Sequence, residues 1–283
     1  MAESRIDMLD ARNLTGKLVS FALPIVASGV VQQSFNSVDV AVVGRYVGSH
    51  ALAAVGSNGP VIGLIINLFV GIAIGANVII ANYIGRSDEA RVAKAVATTM
   101  LLSAISGIVL LVIGLTISRP ILELMGTPDA IIDSACRYLR IYSLGFPAML
   151  VYNFGSAILR SVGDTKRPFY CLVFGGVVNI ILNLVLVLIF GMGVEGVAIA
   201  TVVSNIVSAI GVVHILQHEN GAIRVSFNRL NMYRAELSRI LRIGVPAGIQ
   251  GMVFSLSNIF IQSAINSFGP EAVAGSAAAL NYE

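Results

Sequence analysis

Charge is what this sequence has least of. Only 12% of its 283 residues are Asp, Glu, Lys or Arg, and 56% are hydrophobic. Soluble domains carry about 25% charged residues. A mean hydropathy of +0.86 completes the exclusion of a soluble globular domain and implies an integral membrane protein. Its apolar runs reach about 20 residues or more, enough for helical crossings, and lack the short alternation of barrel strands. The fold class is therefore all-α and polytopic. Cysteine is scarce too: Cys136 and Cys171 lie far apart, in no ligand spacing, and read as packing residues. The three histidines, His50, His214 and His218, fall at span ends or in loops without metal partners. No Gly-x-x-x-x-Gly-Lys-Ser/Thr loop occurs, so ATP is not expected to drive the chain directly, and no Ser/His/Asp or Cys/His arrangement suggests an enzyme. GMGVEG (residues 191–196) spells a dinucleotide fingerprint but lies in a turn between two apolar runs, without the strand such a fingerprint needs.

The apolar runs place spans near residues 18–43, 60–83, 92–117, 131–159, 169–190, 197–216 and 240–268, with an eighth beginning near Ala272. Kinks or tilt are expected at Pro24, Pro147 and Pro246. Residues 1–17 are charged and the next run is too long for the core of a cleavable signal, so the first helix is expected to act as its own insertion signal. Basic residues cluster on one side: Arg5, Arg12 and Lys17; Arg86, Arg91 and Lys94; Arg160, Lys166 and Arg167; and Arg224, Arg229, Arg234, Arg239 and Arg242. The other side holds Arg45, Arg119, Arg137 and Arg140. The rich side is expected to be cytoplasmic, in a cell membrane, with the N-terminus inside. Basic residues scattered along loops fit membrane orientation and give no sign of nucleic-acid binding.

Residues 217–239 are polar and arginine-rich and read as a cytoplasmic linker, with an amphipathic helix expected near residues 230–240. The chain then repeats itself. Residues 21–39 resemble residues 243–258, with Pro24 falling on Pro246 and Asn36 on Asn258. Residues 46–56 likewise fall on residues 267–277. Both copies start on the same side, which makes the repeat parallel. The expected organisation is a six-helix lobe at 1–216, the linker at 217–239 and the incomplete start of a second lobe at 240–283. A whole protein of this design has twelve spans.

The first span carries Gly29, Gln32, Gln33, Asn36 and Asp39 at steps of three and four, one face of a helix. Its other face (Val30, Val31, Val38, Val42) could meet lipid. A carboxylate near the hydrocarbon costs roughly 2.5–3.5 kcal/mol even on lenient insertion scales. Asp39 is an acid assigned to the interior of a span, and an acid kept there points to binding a cation or a proton. Asn179, Asn183 and Thr201, on two later spans, fall at a similar depth in the outer half of the membrane. They could coordinate Na⁺, bracket a protonatable acid, or simply join helices. Gly59, Gly63, Asn67, Gly71 and Gly75 form a small-residue row for close helix packing, in which the Asn67 amide could share a cavity with Asp39. A further polar stripe includes Ser255, Asn258 and Gln262. Together with Gln32, Asn36 and Asn67 these are candidate cleft-lining residues.

The turn LRSVGDTKRP (residues 159–168) resembles the LRGxGDTxxP turn of the multidrug and toxic compound extrusion (MATE) transporters, with Ser161 in place of the usual small residue. Residues 23–56, GVEGVAIAT (193–201) and residues 242–258 extend the resemblance along the whole chain. It implies a cation-coupled antiporter, driven by H⁺ or Na⁺, that expels organic cations and other amphipathic drugs through a cleft between two six-helix lobes. Asp39, Asn179 and Thr201 match the family's ion-binding positions, while Asn183 stands where some members carry a second Asp. The expected mechanism is alternating access with a hinge at Pro24. It calls for no cofactor beyond the coupling ion, no nucleic acid and no partner beyond substrate and membrane lipid, with a monomer as the working unit. Two other readings remain open: a lipid-linked oligosaccharide flippase, against which the shortage of Lys and Arg in the spans counts, and a truncated, inactive membrane protein.

Overall fold

The computed structural model describes residues 14–226 and 230–279. Every element in them is helical: α1 (Leu14–Val42), α2 (Ser49–Gly85), α3 (Glu89–Leu124), α4 (Asp129–Ser143), α5 (Phe146–Ser161), α6 (Lys166–Leu184), α7 (Gly193–Gln217), α8 (Arg234–Asn266) and α9 (Pro270–Ala279). Among the described residues six helices are long and apolar enough to cross a membrane. A seventh crossing is made if α4 and α5, bent by 48°, count as one. That bend falls at Leu144–Gly145, and Pro147 occupies the first turn of α5, where its missing N–H costs nothing. By contrast α1 and α8 run unbroken through Pro24 and Pro246, and the Ser28 hydroxyl donates to the Pro24 carbonyl at 2.7 Å.

The helices outrun the apolar patterns that announced them. α2 begins at Ser49 and continues through Pro60, where the hydropathy pattern started the span. α8 begins at Arg234 and continues into the membrane segment, so the separate surface helix expected near residues 230–240 is instead the first turns of a long span. Arg5, Arg12 and Arg229, counted toward the basic side, lie outside the described residues.

Short turns reverse the chain at each end. In LRSVGDTKRP, Gly163 adopts φ +82°, a left-handed conformation open to glycine. It ends α5 as its N–H donates to the Arg160 carbonyl. Asp164, 1% exposed, accepts from the backbone N–H of Arg167 and pairs with its guanidinium, fixing the start of α6. The internal repeat is visible in the same terms. Gly48 (φ +116°), before α2, and Gly269 (φ +92°), before α9, are the two residues that the repeat superimposes.

Small residues set the spacing inside the bundle. α2 lies along α8, and a Cβ at Gly71 would strike the backbone of Gly248, one at Gly75 the backbone of Gly244. Gly107 of α3 takes Pro147 of α5 in the same way. Without a hydrophobic drive between helices in lipid, such approach is what yields van der Waals energy. Apolar clusters fill the rest, one centred on Val43, Leu139 and Val197 and another on Phe146, Leu150 and Phe154.

Replacing Gly71 by Leu is expected to force α2 and α8 apart and to lower stability by about 1–3 kcal/mol. Thermal unfolding of the detergent-solubilised protein measures this. An unchanged melting temperature contradicts the packing described.

Candidate functional site

Asp39 lies on α1 near the end of the bundle away from most of the basic residues. α1 does not stop at Val42 but passes into a π-helical turn, Val43–Val47, and α6 into another, Val185–Ile189. Asp39 therefore sits about two turns inside its helical segment, one turn deeper than the sequence implied. π-turns inside α-helices are costly and often accompany functional sites. Here each follows within a turn or so of a site residue, Asp39 on α1 and Asn183 on α6.

What brings the two helices together is Gly176. A Cβ there would overlap the ring of Phe35, so the missing side chain lets Phe35 of α1 seat against α6. One turn further along α1 and two along α6, Asn183 donates a hydrogen bond from Nδ2 to Asp39 Oδ1. α6 is in turn stitched to α7: Ser204 donates to the Gly175 carbonyl at 2.8 Å and Ser208 to the Cys171 carbonyl at 3.2 Å.

A polar chain runs across these three helices. Asn183 Nδ2 also points to Asn179 Oδ1 at 3.4 Å, Asn179 Nδ2 donates to Thr201 Oγ1 at 3.4 Å, and Thr201 donates to the Val197 carbonyl at 3.0 Å. Asn179 and Asn183 are buried and Asp39 is half-buried. Asn183 Oδ1 is buried without a partner, and an orphaned buried acceptor carries a desolvation cost of about 1–3 kcal/mol. Among the described residues no Lys or Arg pairs with Asp39. Its nearest charged or titratable company is Tyr138 and Tyr142 on α4, within electrostatic reach of it. The donor set is all oxygen and all neutral except Asp39, chemistry suited to a hard monovalent cation or a proton.

The other sequence candidates divide. Gln32, Asn36 and Asn258 are exposed. Asn67 donates to Ser255 Oγ at 2.8 Å, so its amide serves the α2–α8 contact and not a cavity shared with Asp39. Gln262, 4% exposed, donates to Asn266, which donates to the Met125 carbonyl, so these two tie α8 to the end of α3. Val38 and Val42, expected toward lipid, pack into the core instead, while Val30 is 64% exposed. GMGVEG is a turn between α6 and α7, with Gly191 and Gly193 at positive φ.

Two groups were missed. Tyr138, Tyr142 and Phe146 form a ladder at steps of four, with ring centroids 5.9 and 5.8 Å apart; the spacing is legible, but not that it faces Asp39. Glu236, assigned to a linker, is a buried acid, 4% exposed. Tyr83 donates to it at 2.6 Å, and Arg239 donates to both Glu236 and Tyr83, clasping α8 to the end of α2.

The MatE family model matches residues 24–185, a segment that contains Asp39, Asn179 and Asn183. The chain belongs to the MATE family. It is 37% identical over 265 residues to the probable multidrug resistance protein YoeA of Bacillus subtilis, covering 90% of this chain and 56% of that protein. Among solved structures it resembles the inward-facing conformation of a MATE transporter of the MOP superfamily (TM-score 0.80, 27% identity, 88% of this chain and 57% of that one). It also resembles an outward-facing conformation of such a transporter (TM-score 0.79, 28% identity, 90% and 56%). The chain thus spans a little over half the length of the MATE proteins it matches.

Replacing Asn183 by Leu removes the donor that faces the carboxylate and is expected to destabilise the protein by about 1.5–3 kcal/mol. In an Asp39→Leu background the same change costs much less, a coupling that a double-mutant cycle on unfolding midpoints reads directly. Additive effects contradict the contact.

Proposed function

We propose that this chain supplies the ion-coupling lobe of a cation-driven antiporter, which exports organic cations and other amphipathic molecules across the cell membrane by alternating access. The observation that carries the reading is Asp39: a carboxylate inside a membrane lobe whose partner is a neutral amide, and which no basic side chain among the described residues neutralises. Isolated charge in such a setting is stabilised by a bound cation or removed by a proton. Asn183 Oδ1, Asn179 Oδ1 and Thr201 Oγ1 are the oxygens at hand to share Na⁺ with it.

Uptake of either ion turns the α1–α6–α7 junction from charged to neutral. A substrate cation bound while Asp39 is free is disfavoured once it is occupied, so ion and drug exclude one another, and the coupling is a free-energy difference between lobe states. Pro24 removes one backbone hydrogen bond within α1, which gives that helix a point at which to bend. In this reading Pro24 is the hinge, the basic end of the bundle is cytoplasmic, no further cofactor takes part, no bond is made or broken, and a single full-length copy suffices. Relatives in inward- and outward-facing conformations fit the cycle.

The test is efflux of a cationic dye from proteoliposomes of the full-length protein, with a pH gradient and a Na⁺ gradient imposed separately. One gradient is expected to drive efflux, and Asp39→Asn to abolish it while the protein still reconstitutes. Gradient-driven efflux that survives Asp39→Asn contradicts the proposal.

A further inference from the structure

At the opposite, basic end of the bundle a second polar group is left without a partner. A cavity of about 180 Å³ lies between α1, α2 and α5, lined by Phe21 and Ile25, by Ile74 and Asn77, and by Asn153 and Arg160. Arg160 is the penultimate residue of α5, half-buried, and among the described residues no carboxylate pairs with it. The nearby acids are already engaged: Asp164 and Glu219 with Arg167, and Glu236 with Arg239. Asn77 and Asn153 each donate one amide N–H to a helix carbonyl, Ala157 and Met149, both at 2.9 Å, and each amide has a second N–H to offer.

We infer that this cavity binds the anionic headgroup of a membrane lipid through Arg160. A guanidinium presents a planar fork of donors that fits phosphate oxygens two at a time, and it binds them more strongly where water is scarce. The cavity is smaller than the roughly 300–1,000 Å³ that holds a whole drug-sized molecule, so it fits a headgroup and not a complete amphiphile. Its rim explains where the remainder goes. Ile25 and Ile74 at the rim are 36% and 48% exposed, an apolar bed for acyl chains that continues from the charged pocket. The position suits the source, since Arg160 lies where a helix meets the interface, and the basic residues around it raise the local concentration of anionic lipid. Phe21 and Ile25 bracket Pro24, so the bound headgroup touches α1 at its proline turn.

Residues 1–283 contain no tryptophan, so Ile25→Trp adds a fluorescent reporter at the rim, its quenching read as the difference from the parent protein. The purified protein is reconstituted in phosphatidylcholine with increasing fractions of brominated phosphatidylglycerol or brominated phosphatidylcholine. The brominated anionic lipid is expected to quench the reporter at about fivefold lower mole fraction, the preference one basic side chain confers near a membrane surface. Arg160→Gln in the same background is expected to erase that preference and Arg160→Lys to retain part of it. Equal quenching by the two lipids with Arg160 intact overturns the assignment, as does a preference that persists in a folded Arg160→Gln protein. Displacement of the anionic lipid by inorganic phosphate overturns it in favour of a soluble anion.

Discussion

The structure turns on one unneutralised carboxylate. Asp39 is held inside a membrane lobe by the amide of Asn183 and, among the described residues, by no positive charge. A buried ion pair would have fixed this group in one state. In the proposed cycle a neutral amide leaves it able to take or release a cation, and that chemical choice becomes a choice of helix arrangement because Asp39, Asn183, Asn179 and Thr201 lie on three different helices.

The helix spacing makes the contact possible. Gly176 admits Phe35, and Ser204 and Ser208 bond backbone carbonyls of α6 across the interface. A side chain at Gly176 would displace the Phe35 ring from its seat against α6. The bundle is firm elsewhere: α2 and α8 meet backbone to backbone at Gly71 and Gly248, and Glu236, Tyr83 and Arg239 clasp their ends. Against these, α1 leans on α6 and leaves most of its length uncovered.

Much of this was legible in the sequence. Hydropathy located the spans because nothing else explains runs of about 20 apolar residues. The repeat predicted that Gly48 and Gly269 occupy equivalent places, and both have positive φ. The steps of four that brought Asn179 to Asn183, and the small-residue row of α2, followed from helical period alone. What escaped depended on partners from distant segments or on departures from that period. The π-turns after Val42 and Leu184 shift the register without a sequence signal. Asn67 chose Ser255, 188 positions away, over the cavity its face suggested. Glu236 looked like a linker charge because composition changes at residue 217 while the helix of the next span begins at Arg234. Helix ends in membrane proteins are polar, and a hydropathy pattern stops before they do.

The most direct test of the central claim is a count of ions released on substrate binding, made on the purified full-length protein in weakly buffered detergent with no membrane gradient. If Asp39 is the shared site, binding of a cationic substrate releases a proton, or Na⁺ when the protein has been equilibrated with it, and Asp39→Asn binds the same substrate with no release. Substrate binding without any ion release in the parent protein, or an undiminished release from Asp39→Asn, would place the coupling elsewhere and contradict the account.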